Sequence, residues 1–238
     1  MECVEGRIFR DAMLPGMDAA ERAAIYDSMN ETMAQLHQVD YEAVGLGDFG
    51  RPGNYIERQI ARWIKQYEAS KTDEIPSFDA LVEWLPKNIP AGDDIAIAHG
   101  DFRLENMIFH PTEPRVIAVL DWELSTLGDP MADFTYQLMG WMVPPAIRSG
   151  FLGVDLAPLG IPDVAAYTKA YCARTARNSI PALDFYFAYN LFRLASICQG
   201  VYARALQGNA SNSKALETGQ AVQTLAEGAW GFATKTGA

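Results

Sequence analysis

Apolar residues recur every three or four positions through most of this chain, and one stretch near its middle breaks the rhythm. Ile25, Met29, Met33 and Leu36 share one helical face. Asp18 precedes them with Glu21 three residues on, the spacing of a capping box, and the helix is predicted to end near Val39. Asn54 is placed to cap a second helix with an apolar stripe of Ile56, Ile60, Trp63, Ile64 and Tyr67. Phe78, Leu81, Val82 and Leu85 predict a short third helix, stopped by Pro86 and Pro90. Helical spacing returns after residue 121. Asp129 and Pro130 mark a start, N-cap then first turn, for a helix reaching Trp141. After an irregular Pro- and Gly-rich loop, long helices are expected at about 163–177, 183–206 and 213–230.

The break comes at residue 95. IAIA (95–98), MIF (107–109) and VIAVL (116–120) are short apolar runs between polar residues and read as strands. PTEP (111–114) reads as the turn between the last two. The polar residues that suggest chemistry gather at the rims of these strands. His99, Asp101 and Asn106 lie between the first two runs, and Asp121 follows the third. A hairpin brings the loop before its first strand and the residue after its second to one edge, so Asn106 and Asp121 can converge on one ion. Oxygen donors of this kind suit Mg²⁺.

That order, His99-x-Asp101-x4-Asn106, strand, turn, strand, Asp121, resembles the catalytic core shared by protein kinases and small-molecule kinases. HGD in place of His-Arg-Asp, Trp-Glu after Asp121, and GDPMAD (128–133) are more similar to aminoglycoside phosphotransferases and choline kinases. The phrasing HGDFRLENMIF…VLDWELSTLGDPMADF resembles most the kinase-like domains associated with acyl-CoA dehydrogenases. The likeness is dense over 95–141 and looser elsewhere.

The resemblance implies an α+β, protein-kinase-like fold: a mostly helical C-terminal lobe with a small central β-hairpin region, and no N-terminal β lobe. Residues 1–8 would be a hinge-like segment and 9–238 the catalytic lobe. Asp101 would be the catalytic base, and Asn106 and Asp121 the Mg²⁺ ligands. His99 would be structural, its ring bonded to nearby backbone. Asp129 and Asp133 would cap a helix and brace the catalytic loop. Arg103 either stabilises charge on the transferring phosphoryl group or is a surface residue paired with Glu105 or Glu123. Glu123 is expected in solvent. Glu2, Cys3 and Val4 would be the strand that contacts adenine through backbone groups. ATP and Mg²⁺ are the implied cofactors.

The family's phosphate-covering loop and strand Lys have no counterpart here. Gly45-x-Gly47-x-x-Gly50 imitates such a loop, but a helix precedes it, Pro52 follows it, and no Lys-bearing strand comes after. It is expected to connect two helices and to border the acceptor site. The nucleotide roof would then come from a missing N-terminal lobe or from a partner supplying it.

Composition narrows the partners. Thirty acids against 19 bases give a formal charge of -11, which disfavours nucleic acid and anionic membranes. No apolar run approaches a membrane span. Three distant cysteines, at 3, 172 and 198, predict free thiols and a cytoplasmic setting. The sequence therefore predicts an ATP- and Mg²⁺-dependent phosphotransferase acting on a small-molecule hydroxyl, such as that of a hydroxyacyl-CoA. The alternatives are a non-catalytic kinase-like binding module and, more distantly, a metal-dependent hydrolase. Trp63, Trp141 and Tyr189 either line the acceptor pocket or pack in the core, the commoner fate of aromatics at helical spacing.

Overall fold

A computed structural model describes residues 3–51, 53–92, 94–147, 149–209 and 215–237. Glu2, Pro52 and the first two residues of the helix expected at 213–230 lie outside the described residues. The chain forms two units, Met1–Gly53 with Asp94–Pro181, and Asn54–Asp93 with Ala182–Ala238. Of the segment expected to be hinge-like, the described residues 3–8 fall within the first unit, and 9–238 is divided between both.

In the first unit, helix α1 spans Ala19–His37. Asp18 caps it, accepting from the Glu21 N–H at 2.8 Å. The Glu21 carboxylate does not complete a capping box. It takes the Arg7 guanidinium instead, at 2.9 Å, a charged donor that outcompetes a neutral N–H. Arg7 also donates to the carbonyls of His110 (3.0 Å) and Glu113 (2.8 Å). Its backbone exchanges two 2.8 Å bonds with Phe109. One side chain thereby ties the N-terminal segment, α1 and the central hairpin together. The isolated bridge is made at Arg7, and no strand is assigned at Cys3 or Val4. Gly6 permits this, because a Cβ there would stand 2.3 Å from the Phe109 carbonyl oxygen.

The three expected strands form as β1 (Ala96–Ala98), β2 (Met107–Phe109) and β3 (Val116–Val119). The hairpin β2–β3 is antiparallel, with Met107 opposite Val119 and a bulge at Ile108/Phe109. A fourth strand, β4 (Thr126–Gly128), was not legible from pattern, and it pairs antiparallel with β1. Between β3 and β4 lies a single 3-10 turn, Trp122–Leu124. Helix α4 (Pro130–Leu138) starts at Asp129 as expected and gives way to a 3-10 segment, Met139–Met142. Helix α5 spans Val164–Arg174. Trp141 is buried against Tyr26 and Phe151.

The second unit packs α2 (Tyr55–Ser70), α3 (Pro76–Trp84), α6 (Leu183–Leu206) and α7 (Ala215–Lys235). Asn54 precedes α2 but does not cap it. Its backbone is left-handed (φ 51°) and its side chain makes no capping bond, since a cap needs extended backbone. Pro86 does not stop α3 outright either; it sits within a 3-10 turn, Leu85–Lys87. Tyr67 stacks on Phe78 at 3.6 Å, and Phe78 meets Phe192 edge-on. Trp63 and Tyr189 are buried in this unit, so all three large aromatics singled out above are core residues. No helix among the described residues is long and apolar enough to cross a membrane.

The glycine-rich loop connects two helices and packs against β4. A Cβ on Gly50 would lie 2.3 Å from Thr126 Oγ1 and 2.7 Å from the Leu127 N. This glycine allows close backbone approach. Gly50→Val should therefore destabilise the protein by about 1–3 kcal/mol, the usual cost of overpacking, read as a lower urea midpoint. An unchanged midpoint would mean the loop is not seated on β4.

Candidate active site

Residues 99–106 join β1 to β2, and their backbone is held from three directions. The Asp133 carboxylate, on α4, accepts from the N–H groups of His99 (Oδ2, 2.7 Å) and Gly100 (Oδ1, 2.8 Å). Gly100 has φ +81° and a virtual Cβ 2.8 Å from the Leu124 carbonyl oxygen. A side chain there would be strained and would clash. His99 is fully buried. Its Nε2–H donates to the Leu120 carbonyl at 2.8 Å, and its Nδ1 accepts from the Asp101 N–H at 3.2 Å. The ring is thus a bracket between loop and hairpin, the structural role expected of it. The Leu120 N–H in turn donates to the Asn106 carbonyl at 2.8 Å. The Leu120 backbone therefore engages both ends of the loop, and Asp121 is the next residue.

Behind this bracket lies a buried relay that sequence reading missed. His37, on α1, meets Asp133 Oδ2 through Nε2 (3.3 Å) and the Tyr171 hydroxyl through Nδ1 (2.7 Å). Burial pushes the Tyr171 phenol well up, and the His37 ring bridges that hydroxyl and the Asp133 carboxylate. Burial pushes Asp133 up as well, but His37 and the two backbone N–H groups more than offset it and hold its carboxyl below its ordinary value. Asp129 caps α4, accepting from the N–H groups of Met131 (2.7 Å) and Ala132 (3.3 Å). Capping and bracing are thus divided between these two acids as the sequence predicts.

The Asp101 side chain is heavily engaged. Its Oδ2 accepts from Asn106 Nδ2 (2.9 Å) and Arg103 Nε (3.1 Å), and its Oδ1 accepts from the Tyr136 hydroxyl at 2.5 Å. Asn106 Nδ2 also donates to the Asp101 carbonyl at 2.9 Å. Only the amide nitrogen can donate to these two oxygens, and the Asn106 Oδ1 has no hydrogen-bond partner among the described residues. Asp121 is exposed and has φ 65° and ψ 54°, and its side chain makes no hydrogen bond or ion pair among the described residues. Arg103 also pairs with Glu105 through Nη1, and its Nη2 has no partner among the described residues. Glu123 is exposed, as expected.

Among the described residues no cluster of three or more His, Cys, Asp or Glu side chains could hold a metal. Asn106 and Asp121 are two oxygen donors without hydrogen-bond partners among the described residues, brought to one edge by the hairpin. That donor set fits Mg²⁺, which takes one or two protein ligands and completes its shell with water and substrate phosphates. It does not fit Zn²⁺, which prefers nitrogen and sulfur. Cys3 is exposed, Cys172 and Cys198 are buried, and all three are free thiols. Tyr136, His37 and Tyr171 carried no motif. The one available signal was the i, i+3 spacing of Asp133 and Tyr136 on α4.

Comparison with known proteins agrees with this geometry. A family model described as "Phosphotransferase enzyme family" matches residues 1–172. Mouse acyl-CoA dehydrogenase family member 10 is 45% identical over 239 residues, covering 100% of this chain and 22% of that protein. Rat acyl-CoA dehydrogenase family member 11 is 44% identical over 230 residues, covering 95% of this chain and 30% of that protein. The chain thus spans less than a third of either relative. A crystal structure from Ralstonia eutropha, of a "putative aminoglycoside phosphotransferase", is 52% identical with a TM-score of 0.95, covering 99% of this chain and 72% of that one. A Cryptosporidium parvum choline kinase shares the fold at 12% identity, with a TM-score of 0.59 over 99% of this chain and 71% of that one.

The Asp133 clamp has a pH signature. A carboxyl held below its ordinary value contributes stability above its unfolded value and loses it as pH falls through the lower folded one. Asp133→Ala leaves two buried N–H groups and the His37 imidazole unpaired, so it should cost about 3–5 kcal/mol at neutral pH. It should also flatten the acid limb of stability against pH, measured by urea unfolding. An acid limb identical to the parent's would show that Asp133 is not a charged clamp.

Proposed function

Because the chain belongs to the phosphotransferase enzyme family, we propose that it forms the catalytic lobe of a small-molecule kinase that transfers the γ-phosphoryl group of ATP to a hydroxyl. The observation that carries this reading is the Asn106 amide, whose nitrogen is engaged by the Asp101 carboxylate and carbonyl so that its oxygen has no partner among the described residues, with Asp121 following Leu120, the residue that Asn106 pairs with across the hairpin. Asn106 Oδ1 and the Asp121 carboxylate would hold Mg²⁺. When bound, that ion supplies charge neutralisation at the nucleotide phosphates. The chain's own residues do the rest. Asp101 takes up the acceptor proton as the acceptor oxygen bonds to the γ-phosphorus, and the bond to the β,γ-bridging oxygen breaks to release ADP. Asp133 and His99 fix the backbone from which Asp101 projects. The Arg103 guanidinium, bonded to the base through Nε, would donate through Nη2 to a phosphoryl oxygen. Cys3 and Val4, both exposed, remain the adenine-contact segment in this reading, with Glu2 before them.

The names of the relatives, acyl-CoA dehydrogenase family members 10 and 11, support a hydroxylated acyl thioester as acceptor. The acidic charge of -11 supports a small-molecule acceptor over nucleic acid or an anionic membrane surface.

Asp101→Asn should keep the fold and lower Mg²⁺–ATP turnover with hydroxyacyl thioesters by about 10²–10⁴-fold, the contribution typical of a positioned base. Turnover equal to the parent's would sink the assignment. Asp121→Asn should raise the Mg²⁺ concentration needed for half-maximal rate by at least about 10-fold. An unmoved Mg²⁺ dependence would remove Asp121 from the metal site.

A further inference from the structure

Tyr136 is not part of any motif in this chain, and its hydroxyl makes the shortest of the contacts to Asp101, 2.5 Å to Oδ1. Resting on the reading of Asp101 as the base, we infer that Tyr136 is a positioning residue that sets which lone pair of Asp101 receives the acceptor proton.

A carboxylate oxygen accepts about two hydrogen bonds in its plane. Asp101 Oδ2 already holds two, from Asn106 and Arg103. Oδ1 holds one, from Tyr136. One in-plane position on Oδ1 is therefore left for the hydroxyl of an acceptor. The Tyr136 hydroxyl fixes that position in two ways. It occupies the competing lone pair, and it blocks rotation of the carboxylate, which would exchange the two oxygens. Tyr136 itself cannot swing away easily, because its side chain is buried (4% exposed).

The helix explains the pairing. Asp133 and Tyr136 are three residues apart on α4 and so share a face. Asp133 grips the loop by its backbone at His99 and Gly100. Tyr136 grips the same loop by the reacting side chain. One helical face thus sets both the height of the loop and the rotation of its carboxylate. Phe at 136 would keep the ring in place and remove the hydroxyl's contact with Asp101.

The test is a double-mutant cycle on the whole chain, with Mg²⁺–ATP and 3-hydroxybutyryl-CoA as the acceptor probe. Tyr136→Phe should lower kcat about 10-fold or more, since small misplacements of a reacting group are costly, with KM for ATP within about twofold of the parent. In the Asp101→Asn background the same substitution should change kcat by less than about twofold, because the carboxylate it orients is gone. Equal losses in both backgrounds would make Tyr136 a packing residue and overturn the inference. So would a harmless Tyr136→Phe beside an inactive Asp101→Asn. If Asp101→Asn itself keeps full turnover, the base assignment fails first and the inference falls with it.

A second measurement needs no turnover. The Tyr136 hydroxyl proton should give a downfield proton NMR resonance that disappears in both Tyr136→Phe and Asp101→Asn. A resonance that survives Asp101→Asn unshifted would place the hydroxyl on another partner and overturn the inference independently.

Discussion

Two backbone N–H groups, those of His99 and Gly100, meet the carboxylate of Asp133 where that side chain is almost fully buried. Left unpaired, each would cost about 1–3 kcal/mol. Asp133 is itself a charge in a low-dielectric setting, tolerable only because His37 and those same two N–H groups surround it. Tyr171 then fixes the His37 ring from its far side. The loop, α1, α4 and α5 are thereby joined at one point, and none of the four polar partners can be lost without exposing the others. The positions of Asp101, Asn106 and Asp121 depend on this knot, because all three are placed by the loop it holds or by the hairpin clasped to that loop through His99 and Leu120.

Much of the fold was readable from the chain. The caps at Asp18 and Asp129 were legible because each leaves a local mark, Glu21 three residues after Asp18 and Pro130 directly after Asp129. The central hairpin was legible because β2 and β3 are apolar and their turn is PTEP. Strand β4 was not. Thr126-Leu127-Gly128 is three residues long with no alternation to read, and only its pairing with β1 makes it a strand. Asn54 was misjudged for the opposite reason. Its residue type suits a cap, but the chain passes through it in a left-handed turn as it enters the second unit.

The candidate site divides along the same line. Asp101, Asn106 and Asp121 lie within 21 positions of one another and fall on a recognisable spacing. Tyr136 touches the same loop from α4, while His37 and Tyr171 act on it through Asp133 from α1 and α5, and nothing in their neighbours announces the contact. Motifs record residues that must touch a substrate from one loop. The residues that hold such a loop in place come from wherever the fold delivers them. Arg7 shows this too: it appeared as one charge in an expected hinge and proved to be the tie between that segment, α1 and the hairpin turn.

Asp121 adopts a left-handed backbone without being glycine. For most L-residues that conformation costs about 1–2 kcal/mol, and Asp is among the few that tolerate it. Glycine at 121 would relax the chain and lose the carboxylate. The fold therefore carries this strain where hairpin and turn meet. Under the proposed metal role, selection for stability alone would act against Asp121, and a thermostable variant recovered without regard to activity would be expected to relax there.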